Sequence, residues 1–261
     1  MWAPLFVLAL LGLFACGSSS KSGGSTSSSG SASGSEASGS DRAGTQLEMF
    51  AAASLKTVLP QLEPGAKYTF GGSGALATQI EQGAPADVFA AASAKQPAAL
   101  FQKGLVERPV RFATNTLVLI VPRSNPGHIA SVQDVTRPGV KLVICNATVP
   151  CGDYARTAFK NLGITQAALR NVASQSTDVS QTVAQVAAGQ ADAGFVYVTD
   201  AKAAAGKVSV IRLPPQAKPR TLDAIAVVKA SHQQSQARAF VTRLLSAQGQ
   251  AALRAAGFGP P

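Results

Sequence analysis

Two serines stand at corners where a run of small residues gives way to a helical pattern. Phe50-Ala51-Ala52-Ala53-Ser54 leads into Leu55-Lys56-Thr57-Val58-Leu59, and Phe70-Gly71-Gly72-Ser73-Gly74 leads into Ala75-Leu76-Ala77-Thr78-Gln79-Ile80. Serine is a favoured helix N-cap. The first turn of a helix also presents unpaired N–H groups at the positive end of its dipole, a ready site for an anion. Two such corners at Ser54 and Ser73, in a β-α-β-α pattern, are placed to converge on one small anion. For either serine alone, helix capping is a sufficient account, so an anion site needs further donors from elsewhere in the chain.

The elements that position these corners alternate from Thr45 onward. Strands are expected over 46–52, 66–70, 87–91 and 111–121, with helices over 55–62, 75–82 and 95–103 between them. Pro122 and the turn Ser124-Asn125-Pro126-Gly127 then interrupt the pattern. Strands follow at 140–145, 172–174, 193–198 and 207–212, with helices at 154–162 and 179–188 that end on Gly163 and Gly189. Pro214, Pro215 and Pro219 mark a second linker, followed by a strand at 222–228 and a helix at 233–245 continued over 250–256. This alternation predicts an α/β architecture with mostly parallel sheets. Two interruptions divide it into two lobes, 45–122 with 220–261 and 123–219, and ligands of such folds bind beyond the C-terminal ends of the strands, here in the cleft between lobes.

The first 44 residues read differently. Residues 2–15 are almost wholly apolar but too few to span a bilayer, which takes about 20 residues. They read as a signal peptide over 1–15, although no Lys or Arg precedes them. Leu13-Phe14-Ala15-Cys16 resembles the lipobox of bacterial lipoproteins, which makes Cys16 the expected lipidation site and the cell membrane the expected anchor. Residues 17–44 are largely Ser and Gly, a flexible tether with a root-mean-square reach of roughly 30 Å. All of the formal net charge of +10 falls on 45–261. The basic residues there are dispersed, without a Lys/Arg run or neighbouring aromatics, which argues against nucleic-acid binding and suits attraction of small anions.

Cys145 and Cys151, with five residues between them, read as a disulfide in an exported protein, with two free thiols as the alternative. No second Cys pair or His cluster accompanies them to make a zinc site. The sequence has no G-x-x-x-x-G-K-[ST] and no G-x-G-x-x-G, so neither ATP hydrolysis nor dinucleotide binding is expected, and no cofactor. Gly71-Gly72-Ser73-Gly74-Ala75 narrowly misses the G-x-S-x-G elbow of hydrolases, with Asp223 and His232 following in hydrolase order. His232 falls at the start of an expected surface helix rather than on a cleft loop, and His128 falls in a turn. The chain is therefore read as not an enzyme. Asp87 is assigned to the cleft wall or to a strand-to-helix turn.

Six motifs occur in order: Phe50-Ala-Ala-Ala-Ser54-Leu55, Phe70-Gly-Gly-Ser73, Gln79-Ile-Glu-Gln-Gly83-Ala-Pro-Ala-Asp87-Val-Phe89, Val149-Pro-Cys-Gly152-Asp-Tyr-Ala155, Thr177-Asp178-Val179 and Gly194-Phe-Val-Tyr197. The series resembles the periplasmic molybdate-binding proteins of ABC importers over nearly all of 45–261. The resemblance implies a two-lobed type II solute-binding fold, acting as a monomer outside the cytoplasm with a permease and an ATPase as partners. It implies molybdate or tungstate as ligand, with another tetrahedral oxyanion such as sulfate, or an oxyanion-sensing lipoprotein, as the alternatives. The ligand-binding positions it implies are the hydroxyls of Ser54, Ser73 and Tyr197 and the backbone N–H groups of Cys151 and Val179. Cys151 departs from the alanine of that motif, which a main-chain contact tolerates. The chemistry of the residues agrees. Molybdate near neutral pH is a fully deprotonated dianion, so its pocket needs donors alone, and hydroxyls with helix-start N–H groups supply them without a basic partner. Asp178 with Gln181 forms a capping pattern that leaves Val179 in the first turn.

Overall fold

Segments of four to six residues, half of them buried throughout, pair into two five-stranded sheets in the computed structural model, which describes residues 46–261. The expected signal peptide, the Cys16 lipidation site and the tether lie outside the described residues. The first stretch runs β1 (Glu48–Ala52), a 3-10 turn (Ala53–Leu55), α1 (Leu59–Leu62), β2 (Lys67–Gly71), α2 (Ser73–Glu81), β3 (Val88–Ala91), α3 (Lys95–Gln102) and β4 (Val110–Ala113). The second runs β5 (Leu117–Pro122), β6 (Leu142–Cys145), α4 (Pro150–Asn161), α5 (Thr165–Arg170), β7 (Val172–Ser176), α6 (Val179–Ala187), β8 (Ala193–Tyr197), α7 (Val198–Ala203) and β9 (Val208–Arg212). The chain then returns through β10 (Asp223–Val227), α8 (Gln234–Leu245) and α9 (Ala247–Ala256).

The sheets are ordered β2-β1-β3-β10-β4 and β7-β6-β8-β5-β9. In each, three consecutive strands are parallel, and the strand that arrives from the other lobe is antiparallel to its neighbours: β10 against β3 and β4, β5 against β8 and β9. Strands β3, β5, β6, β8 and β10 are buried throughout, which is why they read as unbroken apolar runs rather than alternations. Helix α6 buries Val179, Thr182 and Val186, one stripe at helical spacing. It lies so close to β8 that a Cβ on Gly194 would meet both Thr182 Cγ2 and Val186 Cγ2 at 2.9 Å.

Several expectations are corrected. The single strand 111–121 is two strands in different sheets, because Thr114-Asn115-Thr116 leaves the first sheet and enters the second. The first crossing is therefore at these polar residues and not at the turn near 122–127, and the lobe bounds 45–122 and 123–219 move accordingly. The backbone of Asn115 is tied to the other crossing: its N–H donates to Thr221 Oγ1 at 2.6 Å, and Thr221 Oγ1 donates back to its carbonyl. The helix expected at 55–62 is a 3-10 turn followed by a single α-turn at Pro60. Helix α4 starts at Pro150 rather than 154, since Pro suits a first helical position. Helices α5 and α7 are additional to the expected set. The last helix is broken at Ser246, whose extended backbone ends α8 and whose Oγ accepts from Gly249 N–H to start α9.

Candidate functional site

The C-terminal ends of β1, β2 and β3 in one lobe and of β6, β7 and β8 in the other face each other across the cleft. Ser54, Ser73, Cys151, Val179 and Tyr197 all line one small cavity there. Alanines, glycines, Val149 and Pro150 complete the wall, and none of the lining residues carries a charge. The centre of a water-sized sphere can occupy about 10 Å³ of it. This is room for a single small ion and not for a sugar or an amino acid.

Neither serine caps a helix. Ser54 sits inside the 3-10 turn, 4% exposed, and its buried Oγ has no protein partner. Ser73 is the first residue of α2, after Gly72 as N-cap, and makes no capping bond. Its Oγ instead accepts from the Ala92 N–H at 3.1 Å, at the end of the neighbouring strand β3. That bond occupies an oxygen lone pair and leaves the Ser73 O–H to donate elsewhere. Asp178 does cap: its Oδ1 accepts from Gln181 N–H at 3.1 Å, while Gln181 Oε1 accepts from Thr177 N–H at 3.0 Å. Val179 and Cys151 are the first and second residues of α6 and α4. Their N–H groups therefore have no acceptor within the helix.

Tyr197 ends β8, 1% exposed, and its hydroxyl is buried without a partner. Burial, reinforced by the nearby Asp223, pushes its phenol well above the ordinary tyrosine range, so it is an O–H donor at any physiological pH. Its ring packs edge-on against Tyr154, with centroids 6.3 Å apart. Asp200 accepts from the Tyr197 N–H at 3.0 Å and fixes the start of α7. The site thus presents hydroxyl and amide donors from both lobes around a space with no carboxylate in its wall.

Cys145 and Cys151 are joined by a disulfide, with Cα atoms 5.8 Å apart. It ties the end of β6 to the first turn of α4, the turn that aims the Cys151 amide into the cavity. Arg156 braces the same turn, donating to the carbonyls of Cys145 and Gly152 at 3.1 and 3.0 Å. A Cβ at Gly152 would collide with the carbonyls of Cys145 and Asn146, so only glycine fits this return. Reducing the bridge is expected to lower stability by roughly 2 kcal/mol, as closure of so short a loop implies. Denaturation midpoints with and without reductant measure this, and alkylation of both cysteines in denatured, unreduced protein would show that no bridge exists.

Asp87 does not serve the cleft. It precedes β3 at the opposite end of the sheet, where its carboxylate accepts from Glu48 N–H at 2.8 Å, Ser231 Oγ at 2.6 Å and Gln233 Nε2 at 3.2 Å. His232, next to Ser231, is exposed at that same end, remote from Ser73, which removes the hydrolase arrangement. Arg156 and Asp200 brace the site and Asp223 lies buried near Tyr197, and none of the three was singled out for it from the sequence. Arg156 was signalled by its four-residue spacing from Gly152, and Asp200 by its capping distance from Tyr197. Among the described residues no group of three or more His, Cys, Asp and Glu is arranged for a metal ion.

Residues 63–259 match the family model described as bacterial extracellular solute-binding protein. The chain is 38% identical to the molybdate-binding protein ModA of Mycobacterium tuberculosis, covering 97% of this chain and 95% of that one. It is 29% identical to the molybdate-binding protein ModA of Haemophilus influenzae, over 83% and 91% of the two chains. The solved periplasmic molybdate-binding protein of Azotobacter vinelandii shares the fold, with a TM-score of 0.74 at 24% identity over 83% of this chain and 100% of that one. A two-lobed α/β fold, an oxyanion-sized cavity between the lobes and a family model spanning most of the described residues agree: the chain belongs to the bacterial extracellular solute-binding proteins.

Proposed function

We propose that this protein binds molybdate or tungstate in the cavity between its lobes, outside the cytoplasm, and delivers it to the permease and ATPase of an ABC importer. The observation that carries the reading is the donor set. Three hydroxyls and two helix-start amides from both lobes surround a space of oxyanion size, and two of those hydroxyls, on Ser54 and Tyr197, are buried with no protein partner. A buried hydroxyl without a partner costs stability, and a deprotonated dianion would satisfy each of them. The proteins named molybdate-binding that this chain resembles support the choice of ion.

Loading in this reading is conformational. Ser54 and Ser73 belong to one lobe and Cys151, Val179 and Tyr197 to the other, so the full donor set exists only when the lobes meet. A transporter can then distinguish a loaded, closed receptor from an empty one. In this reading the protein acts as a monomer that carries its ion unchanged. The lipid on Cys16 and the tether behind it would hold the folded part at the membrane surface while leaving it free to reach the permease.

Calorimetric titration with molybdate, tungstate, sulfate and phosphate tests the reading. Molybdate and tungstate, alike in size and charge, are expected to bind with affinities within about tenfold of each other. Sulfate is expected to bind at least about a hundredfold more weakly, a difference of roughly 2.7 kcal/mol. Absence of heat with molybdate, or tighter binding of sulfate, would sink it.

A further inference from the structure

The two lobes touch through glycine. A Cβ built on Gly72 would lie 2.5 Å from the Thr177 carbonyl oxygen and 3.1 Å from Val149 Cγ2; one built on Gly74 would lie 2.5 Å from the Thr148 carbonyl oxygen. Gly72 and Gly74 flank Ser73 at the start of α2, whereas Thr148, Val149 and Thr177 precede α4 and α6 in the other lobe. The backbones are therefore already at contact, and no further closure is open to them.

Both opposing carbonyls sit in tethered segments. Thr148 lies inside the loop closed by the Cys145–Cys151 disulfide. Thr177 is held by its N–H bond to Gln181 Oε1, within the Asp178 cap of α6. The glycines are not needed for their own backbone, since neither has a positive φ and Gly72 is at φ −68°, ψ 131°, which any residue adopts. Alanine at either position is locally unstrained, and at Gly74 it is a better helix former. The requirement for glycine arises only where the lobes meet.

We propose that Gly72 and Gly74 form the stop that sets how closely the lobes approach, and thereby the smallest oxyanion the cavity can grip. The inference rests on the oxyanion-binding function proposed above. Its chemical content is size selection. With the lobes already in contact, a smaller tetrahedral ion such as sulfate, whose bonds are shorter than those of molybdate, cannot be met by closing further. Its oxygens then fall short of one lobe's donors. The braced loops on the far side make the stop rigid, as a size filter must be.

Gly74→Ala and Gly72→Ala test this on the full chain. Each is expected to lose at least about tenfold in molybdate affinity without gaining for sulfate, because the added methyl holds the lobes apart. Small-angle scattering should show wild-type protein contracting on addition of saturating molybdate and either variant staying expanded. Ligand-free thermal midpoints should match or exceed wild type for Gly74→Ala and fall only slightly for Gly72→Ala, where alanine is the poorer N-cap, which separates a wedge from a folding defect. Variants that bind molybdate within threefold of wild type and contract like it overturn the stop, as does wild-type protein that grips sulfate as tightly as molybdate. Failure of wild-type protein to bind molybdate at all would instead strike the functional reading on which the stop depends.

Discussion

Ser73→Ala is expected to weaken oxyanion binding by roughly 2–3 kcal/mol, about 30- to 150-fold, and to destabilise the protein as well, whereas Ser54→Ala weakens binding alone. Both hydroxyls line the cavity and each supplies one hydrogen bond to a charged ligand. The difference lies in what else they hold. Ser73 Oγ is the acceptor for the Ala92 N–H at the end of β3, so its removal strands a buried amide at a cost of about 1–3 kcal/mol. Ser54 Oγ has no protein partner, so its removal strands no protein group. Calorimetric affinity and ligand-free thermal denaturation of the two variants measure the contrast. Wild-type affinity in either variant removes that serine from the site, and equal thermal midpoints for the two remove the bracing role of Ser73.

What the sequence made legible follows the range over which its causes act. Strand–helix alternation and the small-residue corners at Ser54 and Ser73 are local patterns, so their elements appear close to where periodicity places them. The capping pair Asp178 and Gln181 is also local, and its geometry is visible in four residues. Misplacements begin where a distant partner decides. Arg111 to Val121 reads as one apolar strand, and only the pairing of β4 with β10 and of β5 with β8 and β9 shows that Thr114-Asn115-Thr116 passes between sheets. Three consecutive polar residues in an apolar run were the available signal. The serines looked like caps because serine is a common cap; the Ala92 amide that claims Ser73 comes from another strand. The requirement for Gly72 and Gly74 is the least legible, since it lies in two carbonyls of the opposite lobe.

As the pH rises from about 4 to about 7 the protein is expected to lose stability, by up to about 4 kcal/mol from Asp200 alone. Asp200 is buried at the start of α7, and burial lifts its carboxyl from 3.8 to about 7. The bond from the Tyr197 N–H acts the other way and loses to desolvation; the charge of Asp178 adds to the rise. Asp223, 0% exposed and with neither oxygen hydrogen-bonded, is raised well above the carboxylate range, by burial first and by Asp200 second. Both folded values exceed the unfolded ones. The stabilisation is therefore complete below about pH 4, where folded and unfolded carboxyls are both protonated, and is lost as the pH climbs to the folded values, because only the unfolded chain gives up its protons. Asp134 has the opposite sign: backbone N–H bonds from Ala130 and Ser131 hold it below its usual range, so its contribution fades in acid and bends the curve down there. Thermal midpoints across this range should fall with pH, and Asp200→Asn, which keeps an acceptor for the Tyr197 N–H, should flatten the fall. Asp223→Asn should flatten what remains at higher pH. Variants with the wild-type slope would mean that these carboxyls are ionised in the fold. Two negative charges would then stand behind Tyr197, opposing any dianion that its hydroxyl is proposed to hold.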